Sequence, residues 1–263
     1  MVGDLRNTKS LAISEGCEKG KMYFEKVIIS GDVIEVVKSY TKGSLKSKTR
    51  RPKEQKTPEQ MAEENQRNAE KRLTRLLNCN FKKGDLWVTL TYRRDQRPTP
   101  EKAKKILTRF IRRMRYRFER KSEEEMKYIT VTEYESKAIH HHMVINNPDD
   151  VDVLKLIMKQ WKDGVVHIVP LYSQGNNFKD LAAYIIKETS KTFRKNDGGH
   201  KRRYMASRNL KKPIIRYRVV RAKRWTPYPR AKKGYRIDTD SIVNGVNGWT
   251  GREYQSYTMV RLE

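Results

Sequence analysis

The chain has 263 residues, and its hydrophobic share of 36% is enough for one large packed domain or for a core domain with extensions. Its 59 lysines and arginines outnumber its 31 acidic residues, and the formal net charge of +28 at pH 7 favours a polyanion such as nucleic acid as the partner. The 2 cysteines exclude a disulfide framework and a cysteine zinc site, and no apolar run approaches the length of a membrane span.

The first 80 residues predict a hairpin, a basic linker and a helix. The start of the chain lacks a basic segment followed by an apolar stretch, so we expect no secretion signal and an intracellular, cytoplasmic location without a membrane partner. Residues 22–40 alternate around Ser30-Gly31-Asp32 and predict a β-hairpin. Residues 41–57 are rich in lysine and arginine and predict a coil that is solvated or lies along DNA phosphates. Thr57-Pro58 then begins a helix.

From residue 86 onward, the order of predicted elements is typical of an α+β fold. Strands are predicted near 86–92, 127–134, 139–145 and 165–169, with helices that begin at Thr99-Pro100 and Asp149-Asp150. This is a βαββαβ pattern, which is ferredoxin-like or RRM-like, with a central antiparallel sheet. Its usual strand order places the first and third strands in the centre, where we expect both of their faces to be buried.

The rest of the chain predicts one more helix and a basic extension. A helix over about 178–190 follows Gly175-Asn176-Asn177. Residues 187–233 then combine many cations with aromatic residues, a mixture that suits single-stranded nucleic acid or, equally well, a basic surface with a few core aromatics. Late strands are predicted at 214–220 and 254–262.

Three consecutive histidines, His140-His141-His142, lie within the strand predicted at 139–145. Because side chains alternate along a strand, His140 and His142 share one face and His141 points to the other. If residues 135–138 form a hairpin loop, Glu133 pairs with His140, and two imidazoles and a carboxylate converge. Such a set predicts a divalent-metal site with open positions. Glu135 and His141 are the alternative ligands if the register slips.

Tyr184 lies on the helix predicted near 178–190. Helical spacing places Phe178 and Ile185 on the packed side and turns Tyr184 and Lys187 away from it. A tyrosine in such a helix is usually a packing residue. Beside a metal face in a basic protein, however, it is a candidate nucleophile, and a cation one turn away is expected to favour the phenolate.

Three short motifs occur in an order and spacing that together resemble those of a known family. The first is the strand Trp87-Val88-Thr89-Leu90-Thr91-Tyr92, the second is Glu133 with His140-His141-His142, and the third is Tyr184-Ile185-Ile186-Lys187. Over residues 81–195 the chain is similar to the HUH endonucleases, and among them to the rolling-circle replication initiators of phages and plasmids with one catalytic tyrosine. The departure is His141, since the family has an apolar residue at that position.

The resemblance implies a metal-dependent nicking reaction on single-stranded DNA. Glu133, His140 and His142 would hold Mg²⁺ or Mn²⁺, which polarises the scissile phosphate. Tyr184 would attack the phosphorus and form a 5′-phosphotyrosine link, with Lys187 stabilising the phenolate or positioning the phosphate. Because one phosphodiester replaces another, the same site would also religate the strand.

The same resemblance implies the remaining partners and the division of the chain. Arg93, Arg94, Lys191 and Arg194 are candidates for contacts with DNA. The substrate would be single-stranded DNA at a replication origin, with or without a hairpin, in a bacterial cell that carries a mobile element. The chain has no Gly-x-x-x-x-Gly-Lys-[Ser/Thr] motif, so a host helicase and polymerase would act with it. We expect an N-terminal segment over residues 1–80, the catalytic core over 81–195 and a basic C-terminal extension over 196–263.

Two other functions compete with this one. An HUH transposase or relaxase uses the same nicking chemistry, although relaxases commonly place the tyrosine before the histidines and Tyr184 follows them here. A non-catalytic basic nucleic-acid-binding protein on an RRM-like sheet would explain the charge. The strand at 139–145, however, carries histidines instead of the aromatic and basic pattern of such sheets.

Overall fold

The chain folds into two compact units. The computed structural model describes residues 22–40, 57–133, 138–172, 177–195, 203–247 and 251–262, and of residues 190–195 it describes the backbone alone. Residues 58–212 belong to one unit, the core unit, and the described residues before and after them belong to the other, the terminal unit. The functional boundaries expected at 80/81 and 195/196 stay a prediction. No helix in the described part is long and apolar enough to cross a bilayer.

The elements follow one another closely in the order that the sequence predicts. They are β1 (Tyr23–Ser30), β2 (Val33–Ser39), α1 (Pro58–Asn80), β3 (Leu86–Thr91), a 3₁₀ turn (Arg94–Gln96), α2 (Pro100–Glu119), β4 (Tyr128–Glu133), β5 (His140–Ile145), α3 (Val153–Gln160), β6 (Val166–Pro170), α4 (Lys179–Lys195), β7 (Met205–Ala206), β8 (Ile214–Val220), β9 (Tyr235–Val246) and β10 (Glu253–Arg261). The α+β class is therefore confirmed.

The core unit is built on an antiparallel sheet with the order β6-β3-β5-β4-β7. The first and third strands of the βαββαβ pattern, β3 and β5, lie in the centre as predicted. Five of the six residues of β5 are buried. In β3 only alternate residues are buried, and Trp87, Thr89 and Thr91 remain half-buried. The expectation that both faces of β3 are buried is therefore correct for one face alone.

Helices cover the two faces of this sheet unequally. On one face, α2 and α3 enclose a core that includes Leu90, Phe110 and Trp161. Helix α2 begins where the sequence predicts, because the Thr99 side chain accepts a hydrogen bond from the amide of Lys102 and Pro100 occupies the first turn. On the other face, α1 and α4 pack on β4 and β5. The half-buried side chains of β3 belong to this second face, so they border the functional site.

The terminal unit is a second antiparallel sheet, with the order β8-β1-β2-β10-β9. The hairpin predicted over residues 22–40 is present, and Gly31 at its turn has a φ of 59°, which glycine adopts without strain. The two predicted late strands correspond to β8 and β10. The sequence analysis missed β9, whose polar and glycine-containing sequence, YRIDTDSIVNGV, lacks the apolar alternation of a buried strand.

Candidate metal centre and tyrosine

The strand register brings a carboxylate and two imidazoles onto one face of the core sheet. Glu133 is paired with His140 across β4 and β5, which confirms the predicted register. His142 is flanked by Val131 on one side and Thr89 on the other. The loop residues 134–137, which include the alternative ligand Glu135, lie outside the described residues.

The nitrogen and oxygen atoms of this cluster lie at the separations that a bound cation requires. The Glu133 Oε2 atom is 3.1 Å from His140 Nε2 and 3.7 Å from His142 Nε2. The two Nε2 atoms are 3.2 Å apart. Ligands about 2.1 Å from a metal ion stand roughly 3.0–3.4 Å from one another in octahedral or tetrahedral sites. Glu133 and His142 are buried, and the donor set of two imidazoles and one carboxylate fits Mg²⁺ or Mn²⁺ with positions left for substrate.

The hydrogen bonds of the two rings point their other nitrogen atoms at the same spot. His140 Nδ1 lies 2.7 Å from the carbonyl oxygen of Ala138, which accepts a hydrogen bond, so a neutral His140 ring carries its proton on Nδ1. His142 Nδ1 lies 3.0 Å from the hydroxyl of Thr89. His140 Nε2 then presents a bare lone pair to the Glu133 carboxylate, an arrangement that is unfavourable unless a cation or a proton lies between them.

Burial keeps the second imidazole of the cluster neutral at pH 7. Desolvation, with a smaller effect of His140, lowers the pKa of His142 to about 4, although Glu188 acts in the opposite direction. A neutral imidazole is the form that binds a metal ion, so His142 can bind a cation at pH 7 without first releasing a proton.

His141 lies on the opposite face and is not a ligand, so this alternative is wrong. Its side chain is fully buried between the hydroxyl groups of Tyr92 and Thr132, at 2.7 Å from Nε2 and 2.8 Å from Nδ1. Burial, and secondarily the neighbouring rings of His140 and His142, lower the pKa of His141 to about 3. A neutral ring with one donor and one acceptor can satisfy both hydroxyl contacts.

Helix α4 places Tyr184 beside the cluster. The predicted packed side is correct, since Phe178, Ala182 and Ile185 are buried in the core formed with α1. Tyr184 is 45% exposed, and Lys187 is exposed on the same outward side. The Tyr184 ring centroid is 6.1 Å from that of His142. The phenol is therefore open to solvent and adjacent to a candidate metal ligand.

The electrostatic environment of the phenol differs from the expected one. Burial raises the pKa of Tyr184, and the carboxylates of Glu188 and Glu133 raise it further. The prediction that Lys187 favours the phenolate is therefore wrong for the metal-free chain, in which two carboxylates outweigh any cation nearby. Deprotonation of this phenol requires added positive charge.

The predicted DNA-contacting residues have different outcomes. Arg93 and Arg94 are exposed and follow the end of β3 at which the cluster lies. The side chains of Lys191 and Arg194 lie outside the described residues. His167, for which the sequence predicts a structural role, is exposed on β6.

Three residues around the cluster were not assigned roles by the sequence analysis. The Trp87 ring stacks on His142 at a centroid distance of 4.9 Å and meets Tyr184 edge-on at 6.1 Å. Thr89 hydrogen-bonds His142, and Glu188 influences both Tyr184 and His142. Alternation along β3 would have placed Trp87 and Thr89 on the cluster face, and the four-residue spacing from Tyr184 would have placed Glu188 one turn along α4.

One family model matches the chain over residues 85–193, and its description is that of a replication-associated protein of the ORF2 group. The match spans less than half of the chain, lies within the core unit and includes both the metal cluster and Tyr184. No curated protein and no solved structure matches the chain. The similarity supports a role in DNA replication.

Proposed function

We propose that the chain is a rolling-circle replication initiator of the HUH type, which nicks and religates single-stranded DNA through Tyr184. The observation that carries the proposal is the 6.1 Å separation between the rings of Tyr184 and His142. An exposed phenol next to two imidazoles and a carboxylate leaves room for one phosphate between the nucleophile and the cluster. The similarity of residues 85–193 to replication-associated proteins is consistent with this assignment.

In the proposed reaction, the phenol oxygen of Tyr184 forms a bond to the phosphorus. The bond from phosphorus to the 3′ oxygen breaks, and that oxygen takes up a proton and leaves as a 3′-hydroxyl, from which a polymerase extends. Glu188, one turn further along α4, is a carboxylate placed to receive the phenol proton. Glu133, His140 and His142 would hold Mg²⁺ or Mn²⁺, which neutralises charge on the phosphate and favours the phenolate.

The exposed cations near the site have supporting roles in this proposal. Lys187 lies on the outward side of α4 with Tyr184, where it can contact the phosphate. Arg93 and Arg94 follow β3 and can contact neighbouring phosphates of the strand. A host helicase would supply the single-stranded origin that the site requires.

Covalent capture from a random library of single-stranded oligonucleotides tests the proposal. With Mn²⁺, we expect an SDS-resistant protein–DNA band that keeps a label at the 3′ end of the DNA and loses a label at the 5′ end. Sequencing of the captured strands would then reveal the origin motif. Tyr184→Phe should abolish the band, whereas Tyr172→Phe, which removes the hydroxyl of a tyrosine that is 76% exposed, should not. An adduct of equal yield in Tyr184→Phe would refute the nucleophile.

The metal centre is tested separately by Mn²⁺ binding in the absence of DNA. His142→Ala should weaken binding at least tenfold, because it removes one of three ligands. His167→Ala is the matched control, since it removes an exposed histidine of the same sheet. Adduct formation that persists in EDTA would contradict the metal assignment.

The competing functions give different results in the same assay. A transposase or relaxase would also form the adduct, but its captured strands would carry the ends of a mobile element or a transfer origin. A non-catalytic nucleic-acid-binding protein would form no adduct with either metal. Its binding of DNA would not change when Tyr184 is replaced by phenylalanine.

A further inference from the structure

Helix α2 carries a large excess of positive charge on its exposed surface. Its sequence, PEKAKKILTRFIRRMRYRFE, contains eight lysines and arginines against two glutamates. All eight cationic side chains are exposed, whereas the apolar stripe that includes Phe110, Met114 and Phe118 is buried. The helix is therefore amphipathic in charge as well as in hydrophobicity, and its outward surface is almost entirely cationic.

This surface lies on the side of the core sheet opposite the metal cluster. Helix α2 packs on the buried face that contains Val88, Leu90 and Met143. The cluster lies on the other face, with Thr89 and His142. The cations of α2 therefore have no access to a phosphate bound at Tyr184, and the proposed cleavage reaction does not account for them.

The most outward cations of α2 have no partner within the described part of the chain. Lys105, Arg109 and Arg112 recur at spacings of four and three residues and so form one stripe along the helix. No hydrogen bond or ion pair of the described residues involves their side chains, unlike Arg113, which donates to the carbonyl oxygen of Gln160 at 2.9 Å. Like charges at these spacings destabilise a helix, so the stripe has no evident structural benefit.

The stripe offers charge but no free aromatic surface. Tyr116 continues it, yet its hydroxyl accepts a hydrogen bond from Arg120 at 2.6 Å, and the Arg120 guanidinium lies 5.3 Å from its ring centre. A nucleobase therefore has no unoccupied ring on which to stack. A surface of this kind suits a polymer whose phosphates are outside and whose bases are inside, which is duplex DNA.

We propose that the outward surface of α2, centred on Lys105, Arg109 and Arg112, binds the phosphate backbone of double-stranded DNA. The single strand would be bound on the opposite face of the sheet. The core unit would then hold a duplex segment and a single strand on different sides, as a protein acting at a junction between them requires. This surface adds a binding activity to the proposed nicking function and does not depend on it.

The test measures binding of the full chain to a short labelled duplex of random sequence and to the corresponding single strand, in EDTA, so that cleavage cannot occur. Arg109→Gln/Arg112→Gln should weaken duplex binding on the order of tenfold or more and lower the slope of log K against log salt by about two. Arg109→Lys/Arg112→Lys, which retains the charge, should bind duplex within about threefold of wild type, because a phosphate requires only a nearby point charge.

The matched control is Lys71→Gln/Arg72→Gln, which removes the same charge from exposed positions of α1. An equal loss of duplex binding in this control would overturn the proposal, because net charge would then explain the effect. A loss for the single strand as large as that for the duplex would also overturn it. Thermal unfolding checks the fold of each variant, and we expect Arg109→Gln/Arg112→Gln to be at least as stable as wild type, because like-charge repulsion is relieved.

Discussion

His141 is fully buried directly behind the candidate metal centre, where it joins side chains from three strands or strand ends. Its ring lies within hydrogen-bonding distance of Tyr92, which follows β3, and of Thr132 in β4. The residues next to these three, namely Thr91, Glu133 and the two flanking histidines, face the cluster. His141 therefore holds together the strand ends that carry the ligands, a role that the apolar residue of the resembling family cannot perform through hydrogen bonds.

We predict that Tyr92→Phe destabilises the metal-free protein by about 1–3 kcal/mol, because it leaves a buried nitrogen of His141 without a partner. Tyr116→Phe is the control, since it removes a hydroxyl that is also hydrogen-bonded but lies on an exposed ring. Its cost should be below about 0.5 kcal/mol. Urea unfolding measures both variants. Equal costs would show that the Tyr92–His141 contact does not stabilise the fold.

The neutral state of His141 predicts a pH dependence of stability. Its pKa is lowered to about 3 in the folded chain, mainly by burial, so between that value and about 6.5 only the unfolded chain binds the proton. The free energy of unfolding is therefore constant above pH 6.5 with respect to this group and falls as the pH is lowered. We expect the metal-free wild type to lose about 2 kcal/mol relative to His141→Leu between pH 7 and pH 5. Parallel pH profiles of the two proteins would contradict this assignment.

At the scale of elements, the end of β3 is fastened to the segment that joins α3 to β6. The indole nitrogen of Trp161 donates to the carbonyl oxygen of Thr91 at 2.9 Å, and the Thr91 amide donates to Val165 at 3.0 Å. Gly164 lies so close to this strand that an added Cβ atom would be 2.2 Å from the Thr91 oxygen. Since Thr91 is paired with His140, this contact fixes the position of a metal ligand.

We predict that Gly164→Ala lowers the affinity for Mn²⁺ at least tenfold, because the added methyl group displaces Thr91 and, with it, His140. Gly84→Ala is the control at the other end of β3, where the φ of 92° strains an alanine but the added atom meets open space. This variant should lose stability and keep its metal affinity. If both variants bound Mn²⁺ as wild type does, the close approach of Gly164 would have no influence on the metal centre.

Much of the core unit could be predicted from the sequence because its signals are local. The alternation in β3 and β5 and the apolar stripes of α2 and α4 are properties of short segments, and they predict the elements and their packed sides. The pairing of Glu133 with His140 was predictable because a short hairpin connects their strands and fixes the register. These local patterns were sufficient to bring together the metal cluster.

The features that escaped prediction depend on contacts between distant parts of the chain. The raised pKa of Tyr184 results from burial and from two carboxylates, of which Glu133 is on another element. Among the aromatics of the basic extension, Trp225 packs on Tyr23 and Tyr40 from the N-terminal hairpin, whereas Tyr217 and Tyr228 are exposed. The sequence alone could not distinguish these packed and exposed rings, because their neighbours come from opposite ends of the chain.

At the scale of the whole molecule, the two units differ in how their sequence is arranged. Every element of the core unit comes from the continuous stretch 58–212. The terminal sheet instead combines β1 and β2 with three strands that follow residue 212, and β1 pairs with both β2 and β8. The core unit therefore contains all the residues it needs to fold, whereas the terminal sheet requires both ends of the chain.

This difference predicts the effect of ending the chain at residue 212. The truncated protein should bind Mn²⁺ with the affinity of the full chain, since α1, α4 and the whole cluster are retained. The β1–β2 hairpin loses its neighbours on both sides, β8 and β10, and a two-stranded hairpin alone is marginally stable in water. Its amides should lose their protection from hydrogen exchange, whereas those of β3 and β5 keep theirs. A fragment of residues 58–212, which lacks the hairpin, should match the truncated protein in its core amides. Continued protection of β1 and β2 would show that these strands do not depend on β8 and β10, and loss of protection in β3 would show that the core unit does not fold alone.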